Sequence, residues 1–92
     1  MNEIQRGQEA EHLLGNELFK EAFSKTRQGI IDAMANSPIG DEKTHNRLVI
    51  ALQLLAKVER HIKTVAETGK LARIQYERDE GIIKRSIRKV VG

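Results

Sequence analysis

Residues 48–65 read LVIALQLLAKVERHIKTV. The apolar positions in this stretch recur in alternating steps of three and four residues, which keeps them on one face of an α-helix and is typical of coiled coils. Ile50, Leu52 and Leu54 lie beside that face and make it wider than one partner helix covers. We predict that the face is a seam buried in the core or between subunits, and its members are Leu48, Ala51, Leu55, Val58, Ile62 and Val65.

The sequence predicts where the helix that contains this seam begins, but it leaves two alternatives for where the helix ends. Asp41 is a suitable N-cap, and the apolar register resumes at Ala72 and Tyr76. Gly69 leaves two alternatives, because glycine after a basic, periodic run often ends a helix whereas the following residues still have helical composition. If the helix is unbroken to Glu80, it is about 60 Å long. A rod of that length needs a partner or bends at Gly69.

The chain upstream of the long helix also has a helical pattern. Residues 36–41 read NSPIGD, a turn that separates two helices. Asn16 is the predicted N-cap of the first of them, which ends near Ala35. Its apolar face comprises Phe19, Ala22, Phe23, Thr26, Ile30, Ala33 and Met34. A short N-terminal helix with Ile4, Ala10, Leu13 and Leu14, or a second subunit, covers what remains of the long helix.

These elements predict an all-α fold, a helical hairpin with a short N-terminal helix and a long second arm that oligomerises through the long helix. Residues 1–80 form a single helical domain in this interpretation, and a dimer is the expected assembly. Residues 81–92 form a basic amphipathic tail, with Ile83, Ile87, Val90 and Val91 on one helical face.

Charge is distributed unevenly along the chain. Residues 1–46 carry five Lys and Arg against eight Asp and Glu, whereas residues 47–92 carry eleven against five. The two halves therefore attract each other within or between subunits, or the basic half binds an anionic partner. The candidate contacts to such a partner are Lys57, Arg60, Lys63, Lys70 and Arg73, followed by Lys84, Arg85, Arg88 and Lys89.

A solvated face is the simpler interpretation of residues 57–73. Glu59, Glu67 and Glu77 are interleaved with the cations and can form intrahelical ion pairs. Tyr76 is the one aromatic residue of the basic half, and recognition by base stacking normally uses more rings. For the tail, which has no acidic residue, a solvated face and binding to an anionic partner are equal alternatives. Its apolar side can dock on the body, on another protein or, weakly, on an anionic membrane surface.

Several classes of protein are disfavoured by residue type. The chain has no cysteine, and His12, His45 and His61 have no second ligand at metal-binding spacing. No nucleophile turn or phosphate-binding glycine loop occurs, so we expect no catalytic site, no cofactor and no metal. The start lacks the pattern of a signal peptide, and residues 48–56 are too few to cross a bilayer. We expect a soluble protein of the cytoplasm without stable membrane insertion.

Residues 47–73, RLVIALQLLAKVERHIKTVAETGKLAR, resemble a family of small uncharacterised helical proteins encoded by tailed phages and prophages. The upstream segments AEHLLGNELFKEAF and NSPIGDE share in the resemblance, which covers residues 9 to 75 and excludes the basic tail. The resemblance implies a phage context, in the host cytoplasm or in the virion. It supplies no functional residues.

Three functions follow as hypotheses. The first is a non-enzymatic helical oligomer in virion structure or assembly, whose partners are itself and a phage structural protein, a host protein or nucleic acid. The second is an anti-defence protein that inhibits a host immune complex, such as a CRISPR effector, or sequesters a nucleotide signal. The third is a nucleic-acid-binding regulator, which ranks last because no compact helix-turn-helix spacing is present.

Overall fold

The structure, a computed structural model, describes residues 2–91 and the side chains of residues 2–82. Three α-helices follow one another: α1, Glu3–Gly15; α2, Glu17–Asn36; and α3, Glu42–Val91. No strand occurs among the described residues. The prediction of an all-α fold is confirmed.

Asparagine side chains begin the first two helices. Asn2 caps α1, accepting a hydrogen bond from the backbone N–H of Gln5 at 2.8 Å in a capping box. Asn16 is the single residue between α1 and α2. Its side chain accepts from the N–H of Phe19 at 2.8 Å, while its own N–H donates to the carbonyl of Leu13 at 3.1 Å. One residue thus ends α1 and starts α2, and the predicted cap is confirmed.

The turn between α2 and α3 is built from the predicted residues. Gly40 has a φ of 94°, a left-handed conformation that costs glycine little. Asp41 then caps α3, because its carboxylate accepts from the N–H of Thr44 at 3.2 Å and from the Thr44 hydroxyl at 2.7 Å. These two hydrogen bonds lower the pKa of the Asp41 carboxyl. The predicted start of the long helix is confirmed.

Helix α3 is one continuous helix of 50 residues that passes through Gly69 and Gly81. At 1.5 Å per residue it is about 75 Å long, close to the longest dimension of the molecule, 78 Å. The radius of gyration is 21.7 Å, whereas a compact chain of this length has about 12 Å. No helix in the described part of the chain is apolar enough over a sufficient length to span a membrane.

Glycine backbones in α1 and α3 meet directly. A Cβ atom added to Gly69 would lie 2.5 Å from the Cα of Gly7 and 2.9 Å from the carbonyl oxygen of Glu3. Such distances leave no room for a methyl group, so the two helices pack backbone to backbone at this crossing. Ala10 and Ala66 are buried beside it. Gly69 is therefore the point of closest approach between α1 and α3 rather than a helix end.

Helix α2 lies along the first half of α3 and runs in the opposite direction. Arg27 forms an ion pair with Glu59, and Ser37 hydrogen-bonds His45, so later residues of α2 meet earlier residues of α3. The rings of Phe19 and Phe23 pack with centroids 4.7 Å apart. Four residues of the predicted apolar face are half-buried, namely Phe19, Phe23, Ile30 and Met34, and its small members, Ala22, Thr26 and Ala33, are exposed.

The close contact of α1 and α3 leads to a prediction about stability, for which a glycine outside the contact serves as the control. We expect Gly69→Ala to lower the melting temperature, because its methyl group forces α1 away from α3 and overpacking costs about 1–3 kcal/mol. Gly29→Ala in α2 meets no atom within 4 Å. It should raise stability by about 1 kcal/mol, the usual difference in helix propensity.

Thermal and urea unfolding followed by circular dichroism measure both effects. A Gly69→Ala variant that gains as much stability as Gly29→Ala would show that the two backbones do not meet at this crossing.

Candidate interaction surfaces

The predicted seam of α3 is only partly covered within one chain. Five of its six members are half-buried, namely Leu48, Ala51, Leu55, Ile62 and Val65, and Val58 is 52% exposed. Ile62 and Val65 line a depression together with Ala10 of α1. The C-terminal part of the seam, with Ile62 and Val65, therefore packs against α1. Helix α2 lies against the N-terminal part and leaves Val58 exposed.

An exposed groove on α3 combines apolar and cationic side chains. Leu54 and Val58 are both more than half exposed, and each lies within one helical turn of a cation. The groove is lined by Leu54, Lys57, Val58, Arg60, His61, Ile62 and Thr64. An apolar floor beside positive charges can accept the apolar stripe of a helix that has acidic flanks.

The five predicted basic residues of the helix do not form one stripe. Residues 57 and 60 are neighbours on the helix surface, whereas residue 73 lies about 160° away from residue 57 around the axis. Lys57 and Arg60 both line the groove. Arg73 instead lies beside Ile4, at the beginning of α1. The cations of the groove and the cation near α1 therefore face different directions.

Two of the predicted anion-binding lysines are in ion pairs with the chain itself. Lys63 Nζ lies 3.1 Å from a carboxylate oxygen of Glu59, one turn earlier in α3. Lys70 Nζ lies 3.8 Å from Glu11 of α1. The Lys63 contact is an intrahelical pair of the kind that the solvated-face interpretation predicts, whereas the Lys70 contact joins the acidic and the basic half of the chain. The side chains of Lys84, Arg85, Arg88 and Lys89 lie outside the described side chains.

Glu59 is the electrostatic link between α2 and α3. Its carboxylate accepts from Lys63 and from Arg27 of α2, and only a quarter of its side chain is exposed. The hydrogen bond from Lys63, aided by the positive charge of Arg27, lowers the pKa of Glu59 below its usual value of 4.5. Glu59 was assigned to an intrahelical pair from the sequence, whereas Arg27 was not identified because 32 residues separate the two in the chain.

A serine and a histidine meet at the turn, a contact that the sequence did not predict. Ser37 Oγ lies 2.7 Å from Nε2 of His45, and it donates its hydrogen bond to the carbonyl of Met34 at 3.0 Å. Since the hydroxyl proton points to Met34, the ring N–H of His45 donates to Oγ. Asp41 is bonded to Thr44. The pair therefore ties the end of α2 to the start of α3, and no triad is assembled.

No metal-binding geometry is present in the described residues. No group of three or more His, Asp or Glu side chains among them lies close enough to hold an ion. In the groove of α3, exposed apolar side chains lie beside cations, which is an arrangement that suits the binding of a helix.

The ion pair of Glu59 predicts a pH-dependent contribution to stability. Because the folded-state pKa is lowered, the contribution is present above pH 4.5 and is lost as the pH falls through the folded-state value. We expect Glu59→Gln to cost about 0.5–1 kcal/mol at neutral pH, as partly exposed pairs do. The difference from the wild type should be smaller at about pH 3 than at neutral pH, because protonation removes the carboxylate charge that Lys63 and Arg27 bind.

Urea unfolding at both pH values measures this difference. Glu67→Gln on the same helix is the matched control, because Glu67 is exposed and makes no ion pair with the described side chains. A loss of stability in Glu59→Gln that is the same at both pH values would contradict the assignment.

Comparisons with known proteins do not place this chain in a family. No family model matches it, and it has no match among curated proteins or solved structures. The resemblance to small phage proteins therefore stays a prediction.

Proposed function

We propose that this chain is a non-enzymatic helical protein that forms a homo-oligomer and acts by binding other macromolecules, in virion structure or assembly. In the proposed assembly, helical hairpins associate through the long helix, and the groove of α3 binds an acidic partner. The phage context comes from the sequence resemblance alone. The two binding properties are supported by the distribution of apolar and charged side chains.

The observation that carries the proposal is the near absence of a core within one chain. Among the described residues, Ala10 and Ala66 are the only buried apolar side chains, and none is fully buried. Large exposed apolar side chains are frequent instead, and Leu18, Leu54 and Leu71 are each 57% exposed or more. Apolar groups in this number are normally covered by another chain.

The surface area leads to the same proposal. The accessible surface is 7612 Å², whereas a compact monomer of 10.4 kDa exposes about 5,400 Å². The excess, about 2,200 Å², is of the size that obligate homodimers bury in their interfaces. A small chain that cannot cover its own apolar surface gains stability by oligomerisation.

The chemistry of the groove favours an acidic protein over nucleic acid. Leu54 and Val58 between the cations match a helix with an apolar stripe, and phosphate contacts do not need such residues. Base stacking needs several rings, and Tyr76 is four turns or more from Lys57 and Arg60 along α3. We therefore assign the groove to an acidic amphipathic helix of a partner protein.

Self-association is the first property to test. We expect light scattering at high micromolar concentration to give a mass that is a multiple of the 10.4 kDa chain. The mass should fall on dilution together with helicity, because folding and association are linked when the core is shared. A stable, fully helical monomer at this concentration would contradict the proposal.

Partner binding is tested by reversing charge in the groove. We expect Lys57→Glu combined with Arg60→Glu to abolish recovery of the partner when the tagged chain is purified from phage-infected cells and bound proteins are identified by mass spectrometry. Binding by the wild type should weaken as salt rises, since exposed charges are screened.

The matched control reverses Lys20 and Lys25 on the exposed surface of α2, where the ion pairs they form contribute little to stability. It should retain the partner. Equal losses in both double variants, or a recovered partner without an acidic helix, would contradict the assignment of the groove.

A further inference from the structure

The distal part of α3 extends beyond the rest of the molecule. Helix α1 begins at Glu3, beside Gly69, and its Ile4 lies near Arg73. From residue 74 to residue 80 every residue is exposed. We call residues 74–91 the distal arm, which at 1.5 Å per residue is about 27 Å long.

A helical extension without a partner gains little stability of its own in water, because most helical stability in proteins comes from the packing of an amphipathic face. The arm nevertheless keeps an apolar row. Residues 62, 69, 76, 83 and 90 are Ile, Gly, Tyr, Ile and Val at steps of seven, which continues one of the two positions of the α3 seam into the arm, whereas the other position holds Asp79 and Ser86. Tyr76 is 57% exposed, and its hydroxyl donates to Glu80 at 3.2 Å. An apolar row thus extends into a part of the helix whose residues 74–80 are all exposed.

Charge along the arm indicates what that partner is. Residues 77–80 read ERDE, with three acidic residues and one basic residue, and residues 84–89 read KRSIRK, with four basic residues and no acidic residue. Two arms in parallel would place acidic beside acidic and basic beside basic segments. Two antiparallel arms crossing near Ile82 would place each acidic segment beside the basic segment of the other copy. The arm is therefore complementary to itself in one orientation only.

We propose that two copies of this chain pair through their distal arms as two antiparallel helices that cross near Ile82. The pairing rests on the proposed self-association and adds the place and the orientation. It covers the exposed apolar pattern of the arm and leaves the groove at Lys57 and Arg60 open on both copies. The assembly is a rod with one three-helix body at each end, and it presents two binding grooves.

Two variants, each with the charges of one segment of the arm reversed, test the pairing. The acid-reversed variant carries Glu77→Lys, Asp79→Lys and Glu80→Lys, and the base-reversed variant carries Lys84→Glu, Arg85→Glu, Arg88→Glu and Lys89→Glu. Charges of one sign prevail in the arm of each variant, since Arg78 is the single cation left in the base-reversed arm. Each variant alone should therefore have the mass of one 10.4 kDa chain under conditions where the wild type has twice that mass. An equimolar mixture of the two should recover the double mass. The exchange Glu21→Lys with Lys25→Glu, on the surface of α2, is the control and should behave as the wild type does.

Engineered disulfides test the orientation, since the natural chain has no cysteine. Ile83→Cys, close to the crossing, should give a covalent dimer on oxidation. Tyr76→Cys, one heptad away, should not, because an antiparallel pair separates its two copies by about 20 Å, while a disulfide needs Cα atoms within about 7 Å. Cross-linking of both variants with equal yield would overturn the antiparallel pairing.

The failure of this pairing and that of the proposed oligomer have different signatures. A wild-type double mass that persists in both charge-reversed variants overturns the pairing of the arms and leaves self-association in place. A wild-type chain that remains a monomer overturns both. A monomer that binds duplex DNA or anionic lipid vesicles, and loses this binding in the base-reversed variant, assigns the arm to that partner and overturns the pairing.

Discussion

The contact between the backbones of Gly7 and Gly69 fixes the arrangement of the other elements. Two helices approach this closely only where neither carries a side chain, so the contact sets the position of α1 along α3 and its register. It also places Ala10 and Ala66 in the only buried apolar positions of the described chain. Since Asn16 is the single residue between α1 and α2, the position of α1 in turn determines where α2 begins to pack along α3.

An exposed surface follows from this arrangement. Helices α1 and α2 lie one after the other along α3, so each part of the long helix before the distal arm has one neighbour among the described residues. One neighbour cannot cover a face that includes Leu54 and Val58 as well as the seam. A partner bound to this face would add to the stability of the molecule, which links its folding to its proposed function as a component of a larger assembly.

Some charged side chains form ion pairs within the chain, and others are available to bind a partner. Glu59 of α3 binds Arg27 of α2 as well as Lys63 of its own helix, and Glu11 of α1 binds Lys70 of α3, so these charges connect the three helices. Lys57 and Arg60 remain at a groove with an apolar floor. The net charge of the basic half therefore overstates the charge that is available for binding at any one place, because opposite charges within the chain neutralise part of it and the helix directs the remainder to different sides.

The sequence by itself determined the all-α class, the cap at Asn16, the turn before Asp41 and the start of α3, because caps, turns and apolar periodicity are local properties of the chain. Only the tertiary structure decided the role of Gly69. In the sequence a glycine after a basic run has the pattern of a helix end, and the 61 residues between Gly7 and Gly69 hide the close contact of the two backbones. The pairing of Arg27 with Glu59 and of Ser37 with His45 was likewise decided by packing, since such contacts depend on which helix faces meet, and periodicity does not specify that.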